Sequence, residues 1–120
     1  MREIKFRAKE AESGKFVYGD LHLLCKQPHI HMVGVKAVVK TDTIGQFTGM
    51  HDSAGRPIYE GDIVRSDLIT PMEVYYESGT AMFMLRDRQT SWVVAIGELA
   101  GLEVIGNVYD NLDLLKGGGQ

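Results

Sequence analysis

Histidine and cysteine are the side chains best suited to metal or nucleophilic chemistry, and they gather in one stretch: His22, Cys25, His29 and His31, with His51 further on. His29 and His31 lie two apart, so in an extended chain they share a face, and His22 could reach them across a hairpin. That is a donor set zinc accepts. Against it, the spacing matches no established finger or ribbon, and there is no second cysteine. The plainer reading is an exposed polar loop, and no metal is expected. Cys25 as a nucleophile would need a base and an orienting group, for which His22 or His29 could serve; an incidental thiol explains it equally well.

The carboxylates offer one further cluster. Asp52, Glu60 and Asp62 fall in one loop region and could form a small acidic patch for a cation, but a calcium loop needs more oxygen ligands and a recognisable pattern. No EF-hand, Walker loop, dinucleotide-binding glycine pattern or nucleophile elbow is present. No acid–base pair stands out. No catalytic residue and no cofactor are expected, and the chain reads as non-enzymatic.

Cations concentrate at the N-terminus, where Arg2, Lys5, Arg7, Lys9 and Lys15 make a basic region. It could contact nucleic acid; the plainer reading is a solvated strand face. Single-stranded nucleic acid is also held on aromatic residues of β surfaces flanked by cations. Tyr75 is on a strand face with Glu73 and Glu77, which has the wrong charge for that role.

The elements that carry these residues read as strands. At 120 residues, 44% hydrophobic and 24% charged, the chain has the size and composition of a compact globular domain. Its net charge of -3 argues mildly against a dedicated nucleic-acid binder. One cysteine fits a reducing compartment. The N-terminus lacks the apolar run of a signal peptide, and no stretch is long enough to span a bilayer. A soluble, cytoplasmic protein is expected.

Hydrophobic period two dominates. Ile4, Phe6 and Ala8 alternate with Glu3, Lys5, Arg7 and Lys9, the pattern of a half-buried antiparallel strand. Glu12–Lys15 is a turn, and a second strand runs from Phe16 to about Leu24. Pro28 marks a loop. Val33, Val35, Ala37 and Val39 share one strand face, with another short extended piece over Ile44 to Met50. His51–Pro57 is a turn by composition. Strands follow from Asp62 to Leu68 and as a meander over about 72–94, in which Met72, Val74 and Tyr76 share a face. Ala95–Ala100 is a short helix or helical turn with Gly101 as a possible cap. Leu102–Tyr109 is strand-like, and Asn111 is a plausible N-cap for a last helical turn to Lys116. The expected fold is all-β, a small SH3-like barrel or meander with one or two helical turns. It should form a single domain over 1–116 with 117–120 as a flexible tail.

Three stretches then stand together: Arg2–Ala8; Thr43-Ile44-Gly45-Gln46-Phe47-Thr48-Gly49-Met50 continuing to Ile58-Tyr59-Glu60-Gly61-Asp62-Ile63-Val64; and Glu103 to Asn111, including Gly106, Asn107 and Tyr109. In this order and spacing the chain resembles the YopX family of phage and prophage proteins from Arg2 to about Leu115. It departs where the family often has Trp-Asp after the first motif, here Lys9-Glu10, and Asn-Pro before the last leucine, here Asn111-Leu112. The resemblance implies a phage or prophage origin, a bacterial host cytoplasm and self-association. It brings no catalytic residue, so Gly45, Gln46, Phe47, Thr48, Gly49, Tyr59, Glu60, Gly61, Asp62, Gly106, Asn107 and Tyr109 are read as structural. The expectation is an interaction or accessory protein working as a homo-oligomer with an unknown protein partner. The alternative is a nucleic-acid-associated protein using Arg2, Lys5, Arg7 and Lys9.

Overall fold

The computed structural model describes residues 3–24, 27–32 and 34–116. The expected tail at 117–120, and the candidate residues Arg2 and Cys25, lie outside these. The chain packs as two compact units, Met1–Gly49 and Met50–Gln120. Both are built of antiparallel strands, with short 3-10 turns as the only helical elements among the described residues.

In the first unit the strands are β1 (Phe6–Lys9), β2 (Phe16–Leu24), β3 (Gln27–Met32), β4 (Val35–Val38) and β5 (Gly45–His51), the last running past the unit boundary. They lie in the order β4-β3-β2-β1-β5. The alternation seen in sequence sets the inner face: Ala8, Ile30 and Val39 are buried, with Phe6, Val17, Leu21, Met32 and Ile44 packed against them.

Two expectations for this unit are corrected. The opposite face of β1 is not solvated, because Arg7 and Lys9 are only 5% and 9% exposed. β1 is an interior strand with β2 and β5 on its flanks, and on that face Arg7 and Lys9 lie against the Phe16 ring of β2. Nor does Pro28 mark a loop. It sits second in β3, opposite Leu23, and its carbonyl accepts the Val39 N–H at 3.2 Å. A proline near a strand's start loses no more than one ladder donor. Of the expected valine face, Ala37 and Val39 are buried and Val35 is exposed, while Val33 lies outside the described residues.

The first sheet curls. Val39 bridges Glu10, the Ala11 N–H donates to the Val38 carbonyl at 2.9 Å, and the Lys40 N–H donates to the Lys9 carbonyl at 2.9 Å. The end of β4 thereby meets the end of β1. A 3-10 turn at Thr41–Thr43 follows, in which the Thr43 hydroxyl donates to the Lys40 carbonyl at 2.7 Å and accepts the Lys9 N–H at 2.9 Å.

The second unit holds β6 (Pro57–Tyr59), β7 (Asp62–Ser66), β8 (Ile69–Glu77), β9 (Met82–Arg86), β10 (Val93–Ala95) and β11 (Glu103–Asn107). The order β10-β9-β8-β7-β11 is the expected meander with the last strand added beside β7. Ile58, Val64, Met72, Val74, Leu85, Ile96 and Leu102 form its core. At about 25 cal/mol per Å² of apolar surface removed from water, such a cluster is the main stabilising term. β11 carries one extra residue, since Val104 and Gly106 pair with the adjacent Val64 and Ile63. That bulge turns the strand into the Gly106–Asn111 segment.

The expected helical turns occur as 3-10 turns at Ile96–Glu98 and Leu112–Leu115. Asn111 does not cap the second, because its side chain turns back to Asn107. Gly101 is left-handed, at φ +71°, but it follows an extended Leu99 and so caps no helix. The fold is all-β, as expected. Its sheets do not close into a barrel, and the nearest approach to closure is the Glu10–Val39 bridge.

Candidate functional site

The motif residues of the second unit meet at two turns. In the first, the Asp62 carboxylate accepts the Tyr59 N–H at 2.8 Å, closing the turn Tyr59-Glu60-Gly61-Asp62. The Gly61 N–H donates to the Val74 carbonyl, and the Gly61 carbonyl accepts the Val108 N–H, each at 2.8 Å. Gly61 has φ +94°, and a Cβ there would lie 3.1 Å from the Tyr109 ring. The turn therefore requires glycine twice over, for its backbone and for the space the ring takes.

The second turn follows β11. The Asn107 side-chain oxygen accepts the N–H groups of Tyr109 at 3.0 Å and Asp110 at 2.9 Å. The Asn111 side-chain oxygen accepts the Asn107 N–H at 3.2 Å, and the Asn111 N–H returns to the Asn107 carbonyl at 2.8 Å. A side chain at Gly106 would collide with Asn111, whose Oδ1 lies 2.7 Å from the Cβ position. Asn and Asp close such turns because their short side chains reach backbone donors two or three residues on. In the first unit Gly45, Gln46, Phe47, Thr48 and Gly49 all lie on β5, where the Phe47 N–H donates to the Lys5 carbonyl at 2.8 Å.

Asp52 is engaged in the same way. Its carboxylate accepts the N–H of Ala54 at 2.9 Å, of Arg56 at 2.8 Å and of Val104 at 3.0 Å, and the Arg56 guanidinium at 3.0 Å. Burial raises its pKa, but the hydrogen bonds from Val104, Arg56 and Ala54 outweigh that and hold it below the usual carboxylate range. Asp52, Glu60 and Asp62 make no cation site: among the described residues no three His, Cys, Asp or Glu side chains gather around one point.

The histidines stand on strands rather than on an exposed loop. His22 of β2 is directly opposite His29 of β3. The His22 ring stacks on His31, with centroids 3.6 Å apart and planes 14° from parallel. The His29 Nδ1 lies 3.0 Å from the Gln27 carbonyl. The His31 Nε2 is buried with no hydrogen-bond partner among the described residues. Burial, with His22, Lys36 and His29 adding to it and Asp20 opposing, holds the His31 imidazole below the ordinary histidine range.

The basic N-terminal stripe is a ladder of cations over rings. The Lys5 ammonium is 5.9 Å from the Tyr18 ring centre; Arg7 and Lys9 lie 4.1 and 4.3 Å from that of Phe16. Long cationic stems cover aromatic faces in this manner. With Arg7 and Lys9 buried, the stripe does not present the open row of charges that contact with a phosphate backbone requires.

The sequence reading does not single out one cluster in the second unit. Glu73 of β8 is buried, and its carboxylate accepts Arg86 Nε at 3.2 Å, Arg88 Nε, and Arg88 Nη2 at 3.1 Å. The Arg86 guanidinium lies 4.3 Å over the Tyr75 ring. Burial raises the Glu73 pKa, and the bonds from Arg88 and Arg86 bring it below the usual range. The same pair raises Arg88. The β8–β9 register, which places Glu73 opposite Arg86, is what brings the cluster together.

Compared with known proteins, residues 5–116 match the sequence model of a family described as YopX protein. No curated protein matches the chain.

Proposed function

The chain belongs to the YopX family, and from that membership we propose a non-enzymatic, phage- or prophage-encoded interaction protein that works as a homo-oligomer in the cytoplasm of a bacterial host. The engagement of the motif residues in turns supports a scaffold role. Asp62, Gly61, Asn107 and Asn111 close and join turns through groups that catalysis would need free.

The observation that carries self-association is β10. It is the edge of the second sheet, Val93 is 42% exposed, and Trp92 just before it is exposed too. An edge strand with unpaired backbone groups and apolar side chains is a template for a like strand from a second copy. Light scattering across micromolar concentrations tests this. The expected result is a dimer or larger species that Val93→Lys dissociates, because a charge on an edge strand opposes pairing. A strict monomer at every concentration overturns the reading. The N-terminal stripe gives the nucleic-acid alternative no comparable support, since Arg7 and Lys9 are buried.

A further inference from the structure

Three imidazoles share one face of the β2–β3 pair. His22 of β2 is directly opposite His29 of β3, and Asp20 is directly opposite His31. Directly opposite residues of an antiparallel pair point to the same side of the sheet, as do residues two apart on one strand. Asp20, His22, His29 and His31 therefore occupy the corners of one patch, and the His22–His31 ring stack at 3.6 Å runs along its diagonal. From β4, Lys36 is opposite His31 and Val38 is opposite His29. Both are exposed, and the flexible Lys36 stem can carry its ammonium away from the patch.

The ring nitrogens of this patch are suited to coordination. The Gln27 carbonyl can only accept, so the His29 Nδ1 that lies 3.0 Å from it carries the hydrogen. In the neutral ring the lone pair is then on Nε2. A carbonyl behind one ring nitrogen is the usual support of a metal-bound histidine, because it fixes the tautomer and makes the other nitrogen more basic. The His31 Nε2 is buried with no hydrogen-bond partner among the described residues, a standing cost that a bound ion would relieve. An open depression lined by Tyr18, Asp20, His31 and Met32 borders the patch and gives it access to solvent. As the rings stand, no three such side chains surround one point among the described residues. Stacked planes direct their lone pairs side by side, so convergence requires the His22 ring to turn off the stack, and its exposure permits that.

We infer that His22, His29 and His31, with Asp20 beside them, form a zinc site on the β2–β3 face. Zinc takes three or four nitrogen and oxygen donors at about 2.0–2.2 Å and imposes no geometry of its own. Imidazole selects zinc and its transition-metal neighbours over magnesium and calcium, which need oxygen ligands. Spacing along the chain argues against zinc only when it is compared with fingers and ribbons. On a sheet face the register sets the distances, and two positions on one strand with a third opposite them bring three rings within reach of one ion. The inference does not rest on self-association, and it asks nothing of Cys25.

The test is a zinc titration of the tag-free full chain, stripped of metal beforehand, in competition with a chromogenic chelator. The expected result is a single zinc per chain. His22→Gln and His29→Gln should each weaken zinc at least about tenfold, the loss that removing even an outer partner of a ligand brings. His22 is exposed, so its replacement should leave the circular dichroism unchanged and keeps the inference falsifiable if the His29 variant misfolds. His51→Gln and Cys25→Ser should bind as wild type. With cobalt(II) in place of zinc, d–d absorption should appear without a thiolate-to-cobalt charge-transfer band. No competition with the chelator, undiminished affinity in the His22→Gln, His29→Gln double variant, loss of binding in His51→Gln or Cys25→Ser, or displacement of zinc by equimolar magnesium would each overturn it.

Discussion

The carboxylate of Asp52 accepts the backbone N–H of Val104 at 3.0 Å, joining positions 52 residues apart. The same group closes its own loop onto Ala54 and Arg56. One buried acid thus sets both the loop after β5 and the start of β11. Asp52→Ala leaves three backbone donors without their acceptor and is expected to cost about 3 kcal/mol; Asp52→Asn, which keeps one oxygen, about 2 kcal/mol. Urea midpoints measured at constant m-value check both. A change under about 0.5 kcal/mol would contradict the clamp.

Acid should act through Asp52 and Glu73 together. Both carboxyls have pKa values lowered in the fold. A lowered carboxyl means that the unfolded chain binds protons more readily as pH falls. The stability they contribute is therefore present above the ordinary carboxylate range and disappears as pH drops through the folded values. Stability curves for wild type and Asp52→Asn should converge as pH falls through the folded Asp52 value, since both then carry a neutral group at that site.

His31 acts in a separate window. Its imidazole is lowered from the ordinary value of 6.5. The neutral ring is the folded form, so stability is full above that value and falls as pH drops below it. His31→Gln should flatten this limb without altering the carboxylate limb. An NMR titration should show the His31 ring protonating later than an exposed histidine on acidification. A His31 titration at or above 6.5 would contradict the environment of the His22–His31 stack.

Gly61 and Tyr109 should couple. Gly61→Ala places a methyl against the Tyr109 ring and forces a side chain into positive φ, together about 2 kcal/mol. In a Tyr109→Ala background the steric part is relieved and only the backbone part remains. A double-mutant cycle should therefore show a coupling of about 1 kcal/mol, and strict additivity would rule out the contact.

Gly19 is the tightest of the strand glycines. A Cβ there would fall 2.1 Å from the His31 carbonyl oxygen, whereas at Gly79 nothing lies within 4 Å. Gly19→Ala is expected to weaken the β2–β3 pairing by about 3 kcal/mol or more, and Gly79→Ala to lie within about 0.5 kcal/mol of wild type. Thermal melts of the two side by side decide it.

Much of this architecture is legible in the residues. Period two places Ala8, Ala37, Val39, Met72 and Val74 inward, because alternation is a local property of an extended chain, but it fails at Tyr76, which is exposed. The turns at Glu12–Lys15 and His51–Pro57 are equally local. What depends on pairing is harder to see. Arg7 and Lys9 look solvated until β1 is known to lie between β2 and β5. Glu73 looks like an exposed acid until the register places Arg86 opposite it. Pro28 reads as a breaker, because nothing in its neighbours shows that only its carbonyl is needed. The motif residues were recognisable as a family signature, and their turn chemistry follows from Asn and Gly alone. The Glu73–Arg86–Arg88 cluster is a product of topology.

The Glu10–Val39 bridge also orders events in time. Every donor and acceptor that brings the end of β4 to the end of β1 lies between Lys9 and Ala11 or between Val38 and Lys40. Contacts of such short sequence separation close early, and in a growing chain they are complete once about a third of the protein has been made. The Asp52–Val104 clamp must wait for almost the last strand. During synthesis the first half can settle its own hydrogen bonds, while Asp52, held locally by Ala54 and Arg56, lacks its Val104 donor until β11 leaves the ribosome.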